Sequence, residues 1–137
     1  MRDPMLTAFA KEMLKMSDED IEKVPPEQEQ DFKNAMANFA KYRLVAEVAQ
    51  ARYCAAGVHV GQKLVLNGVQ IDGDASDCPL CVGLIAPLER AWAVFLDRCY
   101  KNRDLTAPLG GVRCADPGLD AGGLGSVLFD VRIEEIG

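Results

Sequence analysis

Tyr42-Arg43-Leu44-Val45-Ala46-Glu47-Val48-Ala49 is where the chain changes its period. Tyr42, Leu44, Ala46 and Val48 alternate with Arg43, Val45, Glu47 and Ala49, and a period of two puts one row of side chains on the buried face of a strand. Upstream, apolar residues recur at helical spacing instead. The switch divides the chain into a helical arm, residues 1–41, and a β-containing module, residues 42–137.

Downstream of the switch, Leu64, Val65 and Leu66 precede Asn67-Gly68, with Val69 and Ile71 beyond. Asn-Gly is the preferred pair for a type I′ hairpin turn, in which both central residues need positive φ. A polar loop, Asp72 to Asp77, follows. A helix is then expected from Pro79, with Asp77 as N-cap and the proline in the first turn, where a missing N–H costs nothing. Leu80, Leu84, Leu88, Ala91, Trp92, Phe95 and Cys99 form its apolar stripe, and Pro87 is expected to kink or restart it. Two further strands are expected, Gly111 to Ala115 and Ser126 to Ile133. The sum is an α+β fold, a small antiparallel sheet covered by one long helix behind an N-terminal helical arm.

Upstream, Leu6, Phe9, Ala10, Met13 and Leu14 mark one amphipathic helix, and Phe32, Ala35, Met36 and Phe39 another. Between them Ser17 and Asp20 resemble a capping box, with Pro25-Pro26 as the stop. Residues 1–31 hold nine acids and four bases, a net of -5, so nearly all of the net charge of -6 over the 137 residues falls in that stretch. An acidic helical pair with an apolar stripe and little core of its own is suited to docking on a larger protein subunit or on a second copy of the chain.

The acidic balance repels phosphate and disfavours a backbone-reading nucleic-acid protein. Asp3, Lys11, Glu12 and Lys15 interrupt the first fifteen positions, so a secretory signal is not expected. The longest uncharged apolar run, Cys78 to Leu88, is too short to span a bilayer. A cytoplasmic location follows from these features. There the five cysteines are better read as metal ligands, thiol nucleophiles or small core residues than as disulfides.

Cys78-Pro79-Leu80-Cys81 supplies two of the four ligands that a closed zinc site needs. Its expected place at a helix N-terminus favours thiolate. Cys54 and Cys114 stand next to glycine-containing turns, Cys54-Ala55-Ala56-Gly57 and Cys114-Ala115-Asp116-Pro117-Gly118, and complete a candidate tetrad of Cys54, Cys78, Cys81 and Cys114. His59, the one histidine, could replace a member. An iron–sulfur cluster uses the same ligand count. Cys99, in the apolar helix stripe, reads as a buried hydrophobe. Gly122-Gly123-Leu124-Gly125 lies before a strand rather than between strand and helix, so it reads as a turn-forming loop, not a phosphate cradle. Asp72, Asp74 and Asp77 resemble part of a calcium loop without its downstream Glu, and read as a solvated loop.

Residues 42–133 resemble a family of small uncharacterised bacterial and archaeal proteins with several cysteines. The resemblance is carried by Cys54 followed by Gly61-Gln62-Lys63-Leu64, by Cys78 or Cys81 opening the helix, and by Cys114 to Gly118 before Val127, Phe129 and Val131. That family has no assigned activity to imply. The Cys-Pro-x-Cys beside other cysteines is also similar to the small zinc-binding subunits of acetone- and acetophenone-carboxylase-type complexes, which implies a subunit role. The expectation is therefore an accessory or structural subunit of a larger cytoplasmic enzyme complex, with a cysteine-held metal, zinc by preference. The competing expectation is an enzyme in its own right, thiol- or metal-dependent, using Cys78 or Cys81.

Overall fold

The computed structural model describes all 137 residues. It is an α+β fold with the expected order: helices α1 (Pro4–Glu12), α2 (Asp18–Lys23) and α3 (Pro26–Phe39), strands β1 (Tyr42–Arg52), β2 (Lys63–Asn67) and β3 (Gln70–Ile71), helix α4 (Val82–Tyr100), and strands β4 (Gly111–Arg113) and β5 (Ser126–Glu135). The five strands form one antiparallel sheet in the order β3-β2-β1-β5-β4. The segment that decided the sequence reading is thus the central strand. No helix is long and apolar enough to cross a membrane.

Alternation along β1 directs Leu44, Ala46 and Val48 to the face that α4 covers. Leu44 pairs with Leu66 and Ile133, Ala46 with Leu64 and Val131, and Val48 with Phe129. These rows meet Leu84, Leu88, Ala91, Phe95 and Cys99 of α4 in one continuous core. A bulge between Val48 and Gln50 inserts one residue and reverses the phase, so beyond it Ala51, paired with Val127, packs inward. On the opposite face Val45 and Val65 pair with each other and are only 1% and 2% exposed. Arg132, the β5 partner of Val45, lays its aliphatic stem there while its guanidinium bonds Glu47 and Glu134, and Arg43 pairs with Glu134.

Three local expectations are corrected. The hairpin loop is Gly68-Val69, not Asn67-Gly68, because Asn67 pairs with Gln70 as the last ladder residue. Only Gly68 has positive φ, +57°, which is the φ pattern of a type II′ turn. Asn67 stays in the strand and donates from Nδ2 to Asp72, while the Gly68 carbonyl accepts from the Trp92 indole and the Phe39 ring closes over its Cα. Helix α4 starts at Val82 with Cys81 as N-cap, three residues after the expected Pro79. The reason is competition: Asp77 does not cap the helix, because its carboxylate accepts the Lys63 N–H while the Lys63 carbonyl accepts the N–H groups of Asp77 and Cys78. Residues 77–78 are thereby tied to the start of β2. Finally, Pro87 does not restart the helix, since α4 runs unbroken from Val82 to Tyr100 with the proline inside it. The Gly83 carbonyl it leaves without a helical donor accepts instead from Ala115 N–H at 2.8 Å.

In the arm, Asp3 caps α1 through Met5 and Leu6 N–H, and Ser17 Oγ accepts from Asp20 N–H at the start of α2. The Pro25-Pro26 pair ends α2 and opens α3. Helix α1 stops at Glu12, so Met13 and Leu14 leave its stripe and are 70% and 52% exposed. Helix α3 packs on α4. Asn34 and Asn38 donate to the Tyr100 and Cys99 carbonyls, Phe39 meets Phe95, and Phe32 meets Tyr100 edge to face. The contacts of α3 therefore cross the compositional boundary at residue 41.

Candidate functional site

The cysteines sit where three elements end beside one another. At the end of β1, Tyr53 adopts φ +52°, a left-handed conformation that non-glycine residues rarely take, and Cys54 follows in a turn closed by Gly57 N–H on its carbonyl. Cys81 caps α4 without a side-chain bond to the helix. Cys114 follows β4, and its sulfur accepts the Val127 N–H at 3.3 Å while facing the Asp116 carbonyl at 3.8 Å. The bond from Ala115 to the Gly83 carbonyl ties this turn to the first turn of α4.

Cys54, Cys81 and Cys114 line one small cavity of about 100 Å³, walled by Leu84 and Val127. Cys78 does not line it. It lies in the core, 6% exposed, where burial pushes its thiol up to about 11 with Asp77, Cys54 and Cys81 adding to the rise. The expected favouring of thiolate by the helix start is thus not what Cys78 experiences, since the helix begins four residues later. His59 stands exposed on the turn before β2, its N–H on Gln62 Oε1, and is not among the cavity's lining residues. Cys99 is fully buried under Phe95, and burial alone pushes its thiol up to about 11. All five thiols are free, and no three His, Cys, Asp or Glu side chains form a group that could hold a metal ion.

Asp116, which the sequence reading did not single out, organises the cavity's outer wall. Its carboxylate accepts N–H bonds from Gly118, Leu124 and Gly125, and these hold its pKa below the usual carboxylate range. The glycine loop is its counterpart. A Cβ at Gly123 would overlap the Asp116 carboxylate and crowd Pro117, and one at Gly125 would sit 3.0 Å from Asp116 Oδ2. The Asp-Pro-Gly and Gly-Gly-Leu-Gly turns were both visible in the sequence; their mutual dependence was not. Asp72 accepts from Asp74 and Ala75 N–H, so the acidic loop is occupied with its own backbone.

Compared with protein-family models, with curated proteins and with solved structures, the chain has no significant match in any of the three.

Proposed function

We propose that the protein is a cytoplasmic accessory subunit of a larger enzyme complex, stapled by a metal ion, zinc by preference, on Cys54, Cys78, Cys81 and Cys114. The observation that carries this reading is the convergence of Cys54, Cys81 and Cys114 on one small apolar cavity, with Cys78 in the core cluster against which all three pack. The donor set suits the ion: four thiols, apolar walls and a backbone N–H already directed at one sulfur. An ion held by these four residues would displace the thiol protons, since sulfur ligates as thiolate. A closed site of four thiolates supplies folding energy rather than reactivity. The turns after β1 and β4 and the start of α4 are what such an ion would tie together.

A catalytic reading lacks a base. Asp116 is the other titratable group lining the cavity, and its carboxylate is committed to three N–H donors. Metal analysis of untagged protein tests the staple. One zinc per chain is expected, falling with any single Cys→Ser change at the four positions; metal well below one per chain removes the claim, and visible absorbance would reassign it to iron–sulfur. Alkylation separates the classes: uniform resistance until chelation supports the closed site, whereas one thiol reacting at pH 6 supports the enzyme. Gel filtration of the chain against co-purification from native lysate tests the subunit role, and a clean monomer with no companion counts against it.

A further inference from the structure

Where β1 ends beside the start of β5, the outer face of the sheet carries a polar cleft of about 370 Å³. Arg52, the last residue of β1, pairs with Ser126, the first of β5. Their neighbours Ala51 and Val127 pack into the core, so alternation turns Gln50, Arg52 and Ser126 outward together. Tyr53 and the turn that carries Leu119, Asp120 and Leu124 supply the walls. That turn is held in place by the Asp116 carboxylate, which accepts the Gly118 and Leu124 N–H groups. The volume is at the small end of the range for ligand pockets, about 300–1,000 Å³. The cleft shares no lining residue with the thiol cavity.

The polar side chains of this cleft are unspent. Gln50, Asp120 and Ser126 make no side-chain hydrogen bond, and neither Arg52 nor Asp120 has an ion-pair partner. Arg52 is steadied by its neighbour alone: its guanidinium lies 5.1 Å from the Tyr53 ring centroid and donates to the Tyr53 hydroxyl at 3.1 Å, which leaves most of its N–H donors free. A cation and a carboxylate thus line one cleft from different elements without meeting. A plain anion there is repelled by Asp120 and a plain cation by Arg52, whereas a molecule that bears both charges satisfies both. Leu119 and Leu124, each 63% exposed, add an apolar wall. We infer that the cleft binds a free aliphatic α-amino acid, its carboxylate on Arg52, its ammonium on Asp120 and its side chain on Leu119 and Leu124. The inference goes beyond the accessory-subunit reading and does not depend on the thiols holding a metal.

Titration of the ¹⁵N-labelled full chain provides the test. The probes are L-leucine, L-isoleucine and L-valine, with two fragments of leucine as controls: isocaproate, which lacks the ammonium, and isopentylamine, which lacks the carboxylate. Saturable amide shifts at Tyr53, Leu124 and Ser126 are expected with at least one of the amino acids, and affinity at least tenfold weaker for either fragment. Arg52→Gln and Asp120→Asn should each weaken amino-acid binding at least tenfold; both side chains are exposed, so circular dichroism should stay unchanged. No saturable shift with any of the three amino acids up to millimolar concentration overturns the inference. So does a fragment that binds as tightly as the amino acid, which would leave a simple anion or cation site, and so do variants that bind like the parent chain. Metal content is read on the same samples, so a chain that carries its zinc but ignores the amino acids loses only this inference.

Discussion

At Gly123 the backbone passes so close to the Asp116 carboxylate that no side chain fits. Gly123→Ala must push the Asp116 turn outward, and we expect a loss of about 1–3 kcal/mol in urea unfolding, the usual cost of overpacking. Gly68 is constrained differently. Its φ of +57° is a conformation L-residues adopt at a cost, and an added Cβ would stand 3.3 Å from the Phe39 ring. Gly68→Ala should cost about 1–2 kcal/mol, and an Asn67→Ala chain should keep the same turn because Asn67 has no positive φ to supply. A thermal melt of each variant checks the contrast. At this scale the sequence marked the right glycines but not their partners. Asn67-Gly68 announced a tight turn, while the one-residue displacement came from the pairing of Leu66 with Ile71 and the Trp92 bond to Gly68.

Elements are where sequence rules met competition. Asp77 has the chemistry of an N-cap, yet Lys63 N–H holds it at 2.7 Å and the helix waits for Cys81. Pro87 has the chemistry of a helix breaker, yet the carbonyl it orphans finds Ala115 N–H, a donor that no local window contains. Helix α4 also ends with outside help, since Asn34 and Asn38 of α3 cap the Tyr100 and Cys99 carbonyls, and Asn38 also reaches Asn102. Replacing Asn38 by Ala removes two hydrogen bonds, and we expect about 1–2 kcal/mol of destabilisation by denaturant titration. The Asn34→Ala, Asn38→Ala double variant should also speed proteolytic cleavage near residue 40, as α3 is released from α4.

For the molecule as a whole, the two faces of the sheet have different dependences on solution conditions. The inner face is apolar and answers to packing. The outer face carries Arg43, Glu47, Arg132 and Glu134 around the Val45–Val65 pair. Burial alone would raise the Glu134 pKa, but Arg132 and Arg43 outweigh it and hold the carboxyl below its ordinary 4.5. A lowered folded pKa contributes stability that is present above the unfolded value and is lost as pH falls through the folded one. Stability should therefore decline below about pH 4.5, and Glu134→Gln should flatten that decline while lowering stability at pH 7; melts across pH 3 to 7 read both. High salt should narrow the difference between the two chains less than it would for a fully exposed pair, because these groups are half-buried.

Period and charge, both properties of consecutive residues, settled the α+β class, the element order, the acidic arm and the element-end positions of Cys54, Cys81 and Cys114, because those depend on local spacing alone. Which thiols share a cavity, that Asp116 clasps the glycine loop, and that α3 belongs against α4 were decided only by the tertiary structure. Each depends on groups far apart in sequence, whose approach is set by the sheet register and by which donor reaches a given carbonyl first.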